Sequence, residues 1–396
     1  MPTLTRIYVP ADSAALALGA DEVAAALAAE AKRAGASVEI VRNGSRGMHW
    51  LEPLVEVQTA AGRIAYGPVA PADVPGLLKS GLLEGGAHPL CIGDPAQHPF
   101  MARQTRWTFV RCGLIDPVSW DDYTAHGGGQ GLAWARAQGA KATLEAITAS
   151  GLRGRGGAGF PAGIKWRTVH DAPGDIKYVV CNADEGDSGT FADRMVMEGD
   201  PFALLEGMVI CGLAVGARKG FIYIRSEYPR AIAVLEHALV VARANGLFED
   251  CAIELRIGAG SYVCGEETAL LESLEGKRGQ VRAKPPLPAH HGLFGKPTVV
   301  NNVLTLATVP EILVRGAAAY AALGVGRSRG TLPFQLAGNI KHGGLFEAPF
   351  GLTLGELVDD IGGGTATGRP VRAVQVGGPL GAYFPRALLD TPLDYE

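Results

Sequence analysis

The sequence predicts an α/β protein of three units, and three observations carry that prediction. The first 126 residues order their patterned segments as β-α-β-β-β-α, residues 132–330 alternate short apolar strands with helices, and residues 331–396 run β-β-α-β. Glycine, at 55 of 396 residues, is about twice its usual share of about 7% and gathers in the turns between these segments. Such turns suit a fold that brings backbone close to a ligand.

In the first unit, a strand at Arg6–Val9, a helix over Ala20–Ala34 and a strand at Ser37–Val41 lead into LVEVQT and RIAY, which flank Ala60–Gly62 as a hairpin. A helix near Pro71–Leu83 completes an order compatible with a thioredoxin-like domain, residues 1–126. The redox C-x-x-C pair of that fold is missing, so the unit is read as a docking or scaffold element. HGGGQG (His126–Gly131) is expected to be the joint that ends it, because few side chains there can cross-link the flanking segments.

The second unit, residues 132–330, contains a helix at Lys141–Ser150, strand KYVV (Lys177–Val180), an apolar helix after Asp200–Pro201, strand FIYIRS (Phe221–Ser226), a helix over Pro229–Asn245, strand AIELRI (Ala252–Ile257) and a helix opening at Glu266. The third, residues 331–396, places PFQLAG, a turn at His342–Gly344, helix Thr353–Ile361 and strand Val371–Gly378 in the order of a small β-grasp domain.

Composition excludes several classes of function. The formal charge is −4 with both signs interspersed, so nothing marks a nucleic-acid or membrane-surface partner. The longest apolar run, Phe202–Ala217, contains Glu206 and falls short of the roughly 20 residues that span a bilayer, so it is expected as a buried helix and no membrane insertion is expected. Cysteines at 91, 112, 181, 211, 251 and 264 show no cluster or zinc spacing, and without a signal peptide they are read as reduced thiols of a cytoplasmic protein.

The most informative segment is GLRGRGGAGFPAGIKW (Gly151–Trp166), with six glycines and the cations Arg153, Arg155 and Lys165. Glycines let backbone N–H groups close on an anion, and cations add charge-assisted hydrogen bonds, so the segment is read as a phosphate-holding loop. Its G-x-G-x-x-G (Gly154, Gly156, Gly159) would ordinarily suggest a Rossmann dinucleotide site, but that fingerprint follows a strand and Lys141–Ser150 reads as a helix. Taken alone, the loop could equally be a structural turn.

Three further segments remove that ambiguity: CNADEGDSGTFADR (Cys181–Arg194), GAGSYVCGEETALLESLEG (Gly258–Gly276), and KPPLP (Lys284–Pro288) with GLFGKPTVVNNV (Gly292–Val303). With these motifs in this order, from Gly151 onward the chain resembles the flavin-carrying, NADH-binding subunit shared by respiratory complex I, bidirectional hydrogenases and soluble NAD-dependent formate dehydrogenases. The resemblance implies an α/β FMN-binding domain of the complex I flavin-subunit type, FMN as cofactor and NAD(H) as substrate. It implies that Gly154, Arg155, Gly156 and Lys165 line the FMN phosphate and ribityl side, and that Asn182, Asp184 and Glu185 contact the ribityl chain and ring edge. Tyr262, Gly265, Glu266 and Glu267 would face the isoalloxazine, and Asn301, Asn302 and Thr305 the phosphate end. For NADH it implies Phe160 on the adenine, Asp187 at the nicotinamide end and Lys284 on a ribose or the pyrophosphate. Glu267 and Asp187 are then the candidate catalytic carboxylates, positional in role because hydride passes directly to the flavin.

Each residue also has a plainer reading: Phe160 as core, Asp187 as a turn residue, Lys284 as a surface lysine, and Glu266 and Glu267 as acids at a helix N-terminus whose mutual repulsion raises one pKa. His290–His291 and the set His88, Cys91, His98 are not expected to hold a metal, and Cys264 is expected to be a buried filler. The chain departs from the complex I subunit at Leu287 and Thr168, where family aromatics close the adenine platform. Asp187, Leu287 and the segments GDSGTFADRMVMEGDPF, RSEYPRAI and SRGTLPFQLAGNIKHGGLFEAPFG resemble the diaphorase (β) subunit of a soluble molybdenum formate dehydrogenase. The implied partners are a molybdenum- and iron–sulfur-containing catalytic subunit and a small iron–sulfur subunit. Relatives carry a cluster-binding C-x-x-C-x-x-C segment in a helical iron–sulfur domain shortly after the position of Tyr395–Glu396; either the sequence is truncated or electrons leave elsewhere. Flavin subunits of complex I or of a hydrogenase, and a non-catalytic scaffold that has lost FMN, are the alternatives.

Overall fold

The computed structural model describes residues 4–396. Near the N-terminus, strands β1 (Thr5–Tyr8), β2 (Val38–Val41), β3 (Val55–Thr59), β4 (Gly62–Tyr66) and β5 (Cys91–Gly93) form one sheet in the order β2-β1-β3-β4-β5. β1 and β2 are parallel, as the intervening helix Ala20–Arg33 requires, and the other pairs are antiparallel. That helix buries Val23, Leu27 and Ala31, spaced four apart on one face. The helix expected near Pro71–Leu83 is shorter: helix Val74–Lys79 ends before Gly81, whose φ of 85° no helix continues.

Four parallel strands follow: β6 (Tyr178–Ala183), β7 (Lys219–Ile224), β8 (Ala252–Ile257) and β9 (Thr298–Asn302), in the order β8-β7-β6-β9. Helix Pro201–Val215 is apolar on all sides because it is covered on all sides, packing on helices Gln130–Ser150 and Val303–Arg315. The approach to the second of these is so close that a Cβ on Gly207 would lie 1.9 Å from the carbonyl oxygen of Leu306. The helix expected at Lys141–Ser150 is the second half of Gln130–Ser150, which kinks at Gly139.

The glycine run 126–131 is an anchor and not a loose joint. Glu206, buried inside the apolar helix, accepts from Gly129 N (2.8 Å), Leu132 N (2.7 Å) and the Tyr123 hydroxyl. A Cβ on Gly131 would lie 2.7 Å from Pro310 Cα, so only glycine lets the chain pass. Trp107, Phe109, Ile115 and Tyr123 pack in the same apolar core as the parallel-sheet unit, so burial crosses the boundary expected at residue 126.

Beyond the short hairpin β10 (Gly324–Val325) and β11 (Ser328–Arg329), the expected β-β-α-β order is observed as β12 (Thr331–Leu336), β13 (Gly344–Pro349), a π-helical turn Glu356–Ile361 and β14 (Ala373–Val376). An additional strand, β15 (Ala382–Pro385), pairs with β14 in a hairpin separate from β12–β13. Among the described residues no helix is long and apolar enough to cross a membrane.

Glu347 on β13 ties this part to the rest of the chain. Its fully buried carboxylate accepts from three consecutive amides, Trp107, Thr108 and Phe109, each at 3.0 Å, and from Thr331 Oγ1 at 2.6 Å. Glu347→Ala strands these donors, and with each orphan costing about 1–3 kcal/mol it should destabilise the chain by at least about 3 kcal/mol, read as a lowered urea midpoint. An unfolding free energy within about 0.5 kcal/mol of wild type would show that the anchor carries no weight.

Candidate functional site

β7 and β8 extend the parallel sheet on one side of β6, and β9 returns to the other. In an open parallel sheet a crevice forms outside the carboxyl ends of the strands where the order reverses. Here that point lies between β6 and β9, whose last paired residues are Asn182 and Asn302. Asn182 donates to Gly265 O (2.9 Å) and accepts from Asp184 N (3.1 Å), which draws the turn at 258–266 over the strand end. Asn302 accepts from Leu304 N (2.8 Å) as the cap of helix Val303–Arg315 and donates to Asp193 (2.6 Å).

The glycine loop rests on this junction. It leaves helix Gln130–Ser150 and enters helix Ala162–Asp171, with no strand before it, so the dinucleotide reading of its G-x-G-x-x-G is excluded. Gly154 N donates to Phe160 O (2.8 Å) and closes the loop, and a Cβ on Gly156 would lie 3.1 Å from Asn302 Cβ. Gly157 has a φ of 106°, open to glycine and closed to other residues. Among the described residues no acceptor meets the N–H of Gly156 or Gly157, and both line a cleft of about 1690 Å³. Two free amides at a glycine turn form an anion-binding concavity.

Of the residues expected at the site, Arg155, Gly156, Asn182, Asp184, Glu185, Asp187, Tyr262, Gly265, Glu266 and Asn302 line this cleft. Several others are committed elsewhere. The Arg155 guanidinium turns inward, donating to Tyr320 Oη (2.7 Å), Tyr395 Oη (3.2 Å), Arg329 O (3.1 Å) and Arg153 O (2.8 Å), so it is not a free cation for a phosphate. Thr305 is fully buried and accepts from Arg155 N (2.9 Å), and Asn301 accepts from the indole of Trp166 (2.8 Å). Neither side chain reaches the cleft. Gly154 closes the loop from behind.

Lys165, Glu267 and Lys284 stand outside the cleft wall in a chain of alternating charge. Lys165 donates to Val300 O (2.9 Å) and lies 3.4 Å from Glu267, while Lys284 contacts both Glu267 (2.9 Å) and Glu266 (2.8 Å). Lys284 therefore separates the two glutamates that the sequence suggested would repel. Burial raises the pKa of Glu266, but Lys284 and the amides of Thr268 and Ala269 outweigh it and hold the group below the ordinary carboxylate value. Phe160, Ile164 and Leu287, each about half exposed, flank this chain along the sequence, while Thr168 turns back to Ile164 O (2.9 Å).

The acidic turn lines the same cleft. Glu185 accepts from Asp193 N (3.2 Å) and Arg194 N (3.1 Å), capping helix Ala192–Gly199, and burial raises it to about 7. Asp184 is raised to about 6 by burial, and its Oδ1 has no hydrogen-bond partner. Asp187 accepts from the exposed Tyr262 hydroxyl (2.6 Å), and the tip of the β14–β15 hairpin approaches it at Gly378. Two supports escaped the sequence reading: Gln335, which accepts from Phe191 N and from Ala192 N (3.1 Å), and Asp193 beneath Asn302. Asp193 lay within a recognised motif; Gln335 had no local signal.

A switch-point crevice lined by an amide nest and partly protonated carboxyls defines a nucleotide-binding α/β protein. Residues 147–311 match the Nuo51 FMN-binding domain. The chain is 49% identical over 302 residues to the NADP-reducing hydrogenase subunit HndC of Solidesulfovibrio fructosivorans, covering 74% of this chain and 61% of that protein. It is 39% identical over 319 residues to the F subunit of NADH-quinone oxidoreductase from Streptomyces coelicolor, covering 78% and 68%. A crystal structure of an NAD+-reducing [NiFe]-hydrogenase in the air-oxidised state superposes with a TM-score of 0.62 and 31% identity, over 100% of this chain and 67% of that one. The chain belongs to this family of flavin subunits, and its central unit is their FMN-binding domain. It spans 61% of the length of HndC and 62% of that of an NADH-quinone oxidoreductase F subunit from Rhizobium meliloti.

The residues present fit FMN. The free amides of Gly156 and Gly157 suit a phosphate, and Asp184 Oδ1, which makes no hydrogen bond and has the Arg225 guanidinium 3.9 Å away, suits a ribityl hydroxyl or a ring N–H. Carboxyls whose folded pKa lies above the ordinary value of about 4 bind more protons folded than unfolded, so the stability they contribute is full below about pH 4 and falls as pH rises from there to about 6 for Asp184 and about 7 for Glu185. Thermal unfolding of the flavin-free protein between about pH 4 and 8 should show this fall, and Glu185→Gln should reduce it. An unchanged slope in the variant would exclude Glu185 as its source.

Proposed function

We propose that this chain is the flavin subunit of a cytoplasmic, multisubunit NAD-linked oxidoreductase that accepts hydride from NADH and passes electrons toward iron–sulfur clusters. Bound FMN supplies the two-electron acceptor. The observation that carries the reading is the convergence, at one switch point, of the free Gly156 and Gly157 amides with the buried Asp184 carboxyl. In this reading the amides hold the phosphate, Asn182 and Asp184 orient the ribityl chain and ring edge, and Glu185 keeps the acidic turn in register by capping its helix. The half-exposed ring of Phe160 takes the adenine, with Ile164 and Leu287 as apolar neighbours in place of family aromatics. Lys284 and Lys165 balance Glu266 and Glu267, and Asp187 with Tyr262 receives the nicotinamide end.

Within the family we assign the chain to the diaphorase subunit of a molybdenum formate dehydrogenase, supported by Asp187, Leu287 and the segments around Gly186, Arg225 and Ser328. Its partners are then a molybdenum- and iron–sulfur-containing catalytic subunit and a small iron–sulfur subunit. A NAD-linked hydrogenase is the second reading, favoured by the likeness to the NAD+-reducing [NiFe]-hydrogenase. Reconstitution with partner subunits separates them: formate-dependent NAD+ reduction supports the first, and hydrogen-dependent reduction without formate activity replaces it with the second.

Anaerobic titration of the FMN-loaded chain with NADH should bleach the flavin at about one equivalent per FMN. A purified chain that neither holds nor takes up flavin would instead leave a scaffold. Phe160→Ala should weaken NADH binding about 2- to 10-fold while FMN content stays unchanged, the range expected for one stacking contact. Equal binding of NADH and of an adenine-free nicotinamide by wild type would remove the adenine role.

A further inference from the structure

We propose that Tyr395 is a positioning residue for the cofactor phosphate, acting through Arg155 on the glycine loop. The proposal rests on the reading that the phosphate sits on the amides of Gly156 and Gly157. That loop is short of side chains, and its shape is held from behind by residues far away in sequence. The Tyr395 hydroxyl donates to Gly154 O (2.7 Å) and accepts from Arg155 Nη1 (3.2 Å). Its ring lies where a Cβ on Gly159 would approach within 2.9 Å, and the Arg153 guanidinium stacks 4.5 Å from its centroid.

Tyr320 completes the grip. Its fully buried hydroxyl accepts from Arg155 Nη2 at 2.7 Å, and the Phe350 ring lies 5.0 Å from the guanidinium carbon. Arg155 N is meanwhile bound to Thr305 Oγ1 (2.9 Å). Gly154 and Arg155 are thus engaged by these partners, and the next two amides, those of the cleft-lining Gly156 and Gly157, are left free. Arg155, which sequence alone casts as a direct phosphate ligand, instead serves as the post to which the loop is tied. Tyr395 holds the post and the loop carbonyl together.

FMN and riboflavin differ by the phosphate, so their affinities for the same protein isolate this role. Flavin-free wild type and Tyr395→Phe are titrated with each, following flavin fluorescence, with thermal unfolding of each sample as a check on the fold. Tyr395→Phe keeps the ring and removes both hydroxyl bonds; it should weaken FMN about tenfold and leave riboflavin unchanged. Tyr320→Phe, which loosens only the guanidinium, should weaken FMN by a smaller factor with the same indifference to riboflavin. If Tyr395→Phe weakens both flavins equally, or preserves the wild-type FMN-to-riboflavin ratio, Tyr395 has no positioning role. If wild type itself binds the two flavins equally, the placement of the phosphate fails, and the proposal with it.

Discussion

Asn302 meets three elements at once. Its carbonyl caps helix Val303–Arg315, its amide holds the buried Asp193 carboxyl at 2.6 Å, and its Cβ is the floor against which Gly156 rests. Because it is also the last paired residue of β9, directly across from Asn182 on β6, the crevice between those strands inherits their register. A one-residue slip of β9 would send Asn302 to the other face of the sheet and leave the glycine loop without support. The site is therefore only as well placed as the β6–β9 ladder.

Buried carboxyl groups do the corresponding work between the larger parts of the molecule. Glu347 gathers three amides some 240 residues away, Glu206 fixes the glycine anchor at 129–132, and Glu198 accepts from both Ser13 N and Ser13 Oγ at 2.6 Å. Each directs its lone pairs at backbone or hydroxyl donors, which is why each is tolerated in a buried setting. The same device recurs at the site, where Glu185 caps the helix below the acidic turn. Framework and site thus share one solution to the problem of unsatisfied amides.

Local pattern made much of the fold legible. β6, β7 and β8 are runs rich in apolar and β-branched residues, and helix Pro201–Val215 announces its burial by lacking a polar face. β9 was harder to see, since only Val299 and Val300 lie between Thr298 and the two asparagines, and β5 and β15 are three and four residues long. Ten residues expected at the site line the cleft because long motifs specify turns, and turn residues stay near one another whatever the tertiary structure does. The direction of a long side chain is another matter. Arg155 sits in a glycine loop in either reading, yet where its guanidinium goes depends on Tyr320 and Tyr395, which lie 165 and 240 residues further along.

The sequence by itself determined the alternation of strands and helices, the glycine loop with its phosphate-like character, and the motifs that define the family, because each depends on residues close together in the chain. Only the tertiary structure decided that residues 107–123 pack with the parallel sheet, that the glycine run at 126–131 is an anchor, that Lys284 separates Glu266 from Glu267, and that Arg155 faces inward. The physical reason is shared. Each outcome is set by which donor, acceptor, charge or apolar face arrives from another segment to meet a given group, and that partner is chosen by how the chain packs and not by the residues next in sequence.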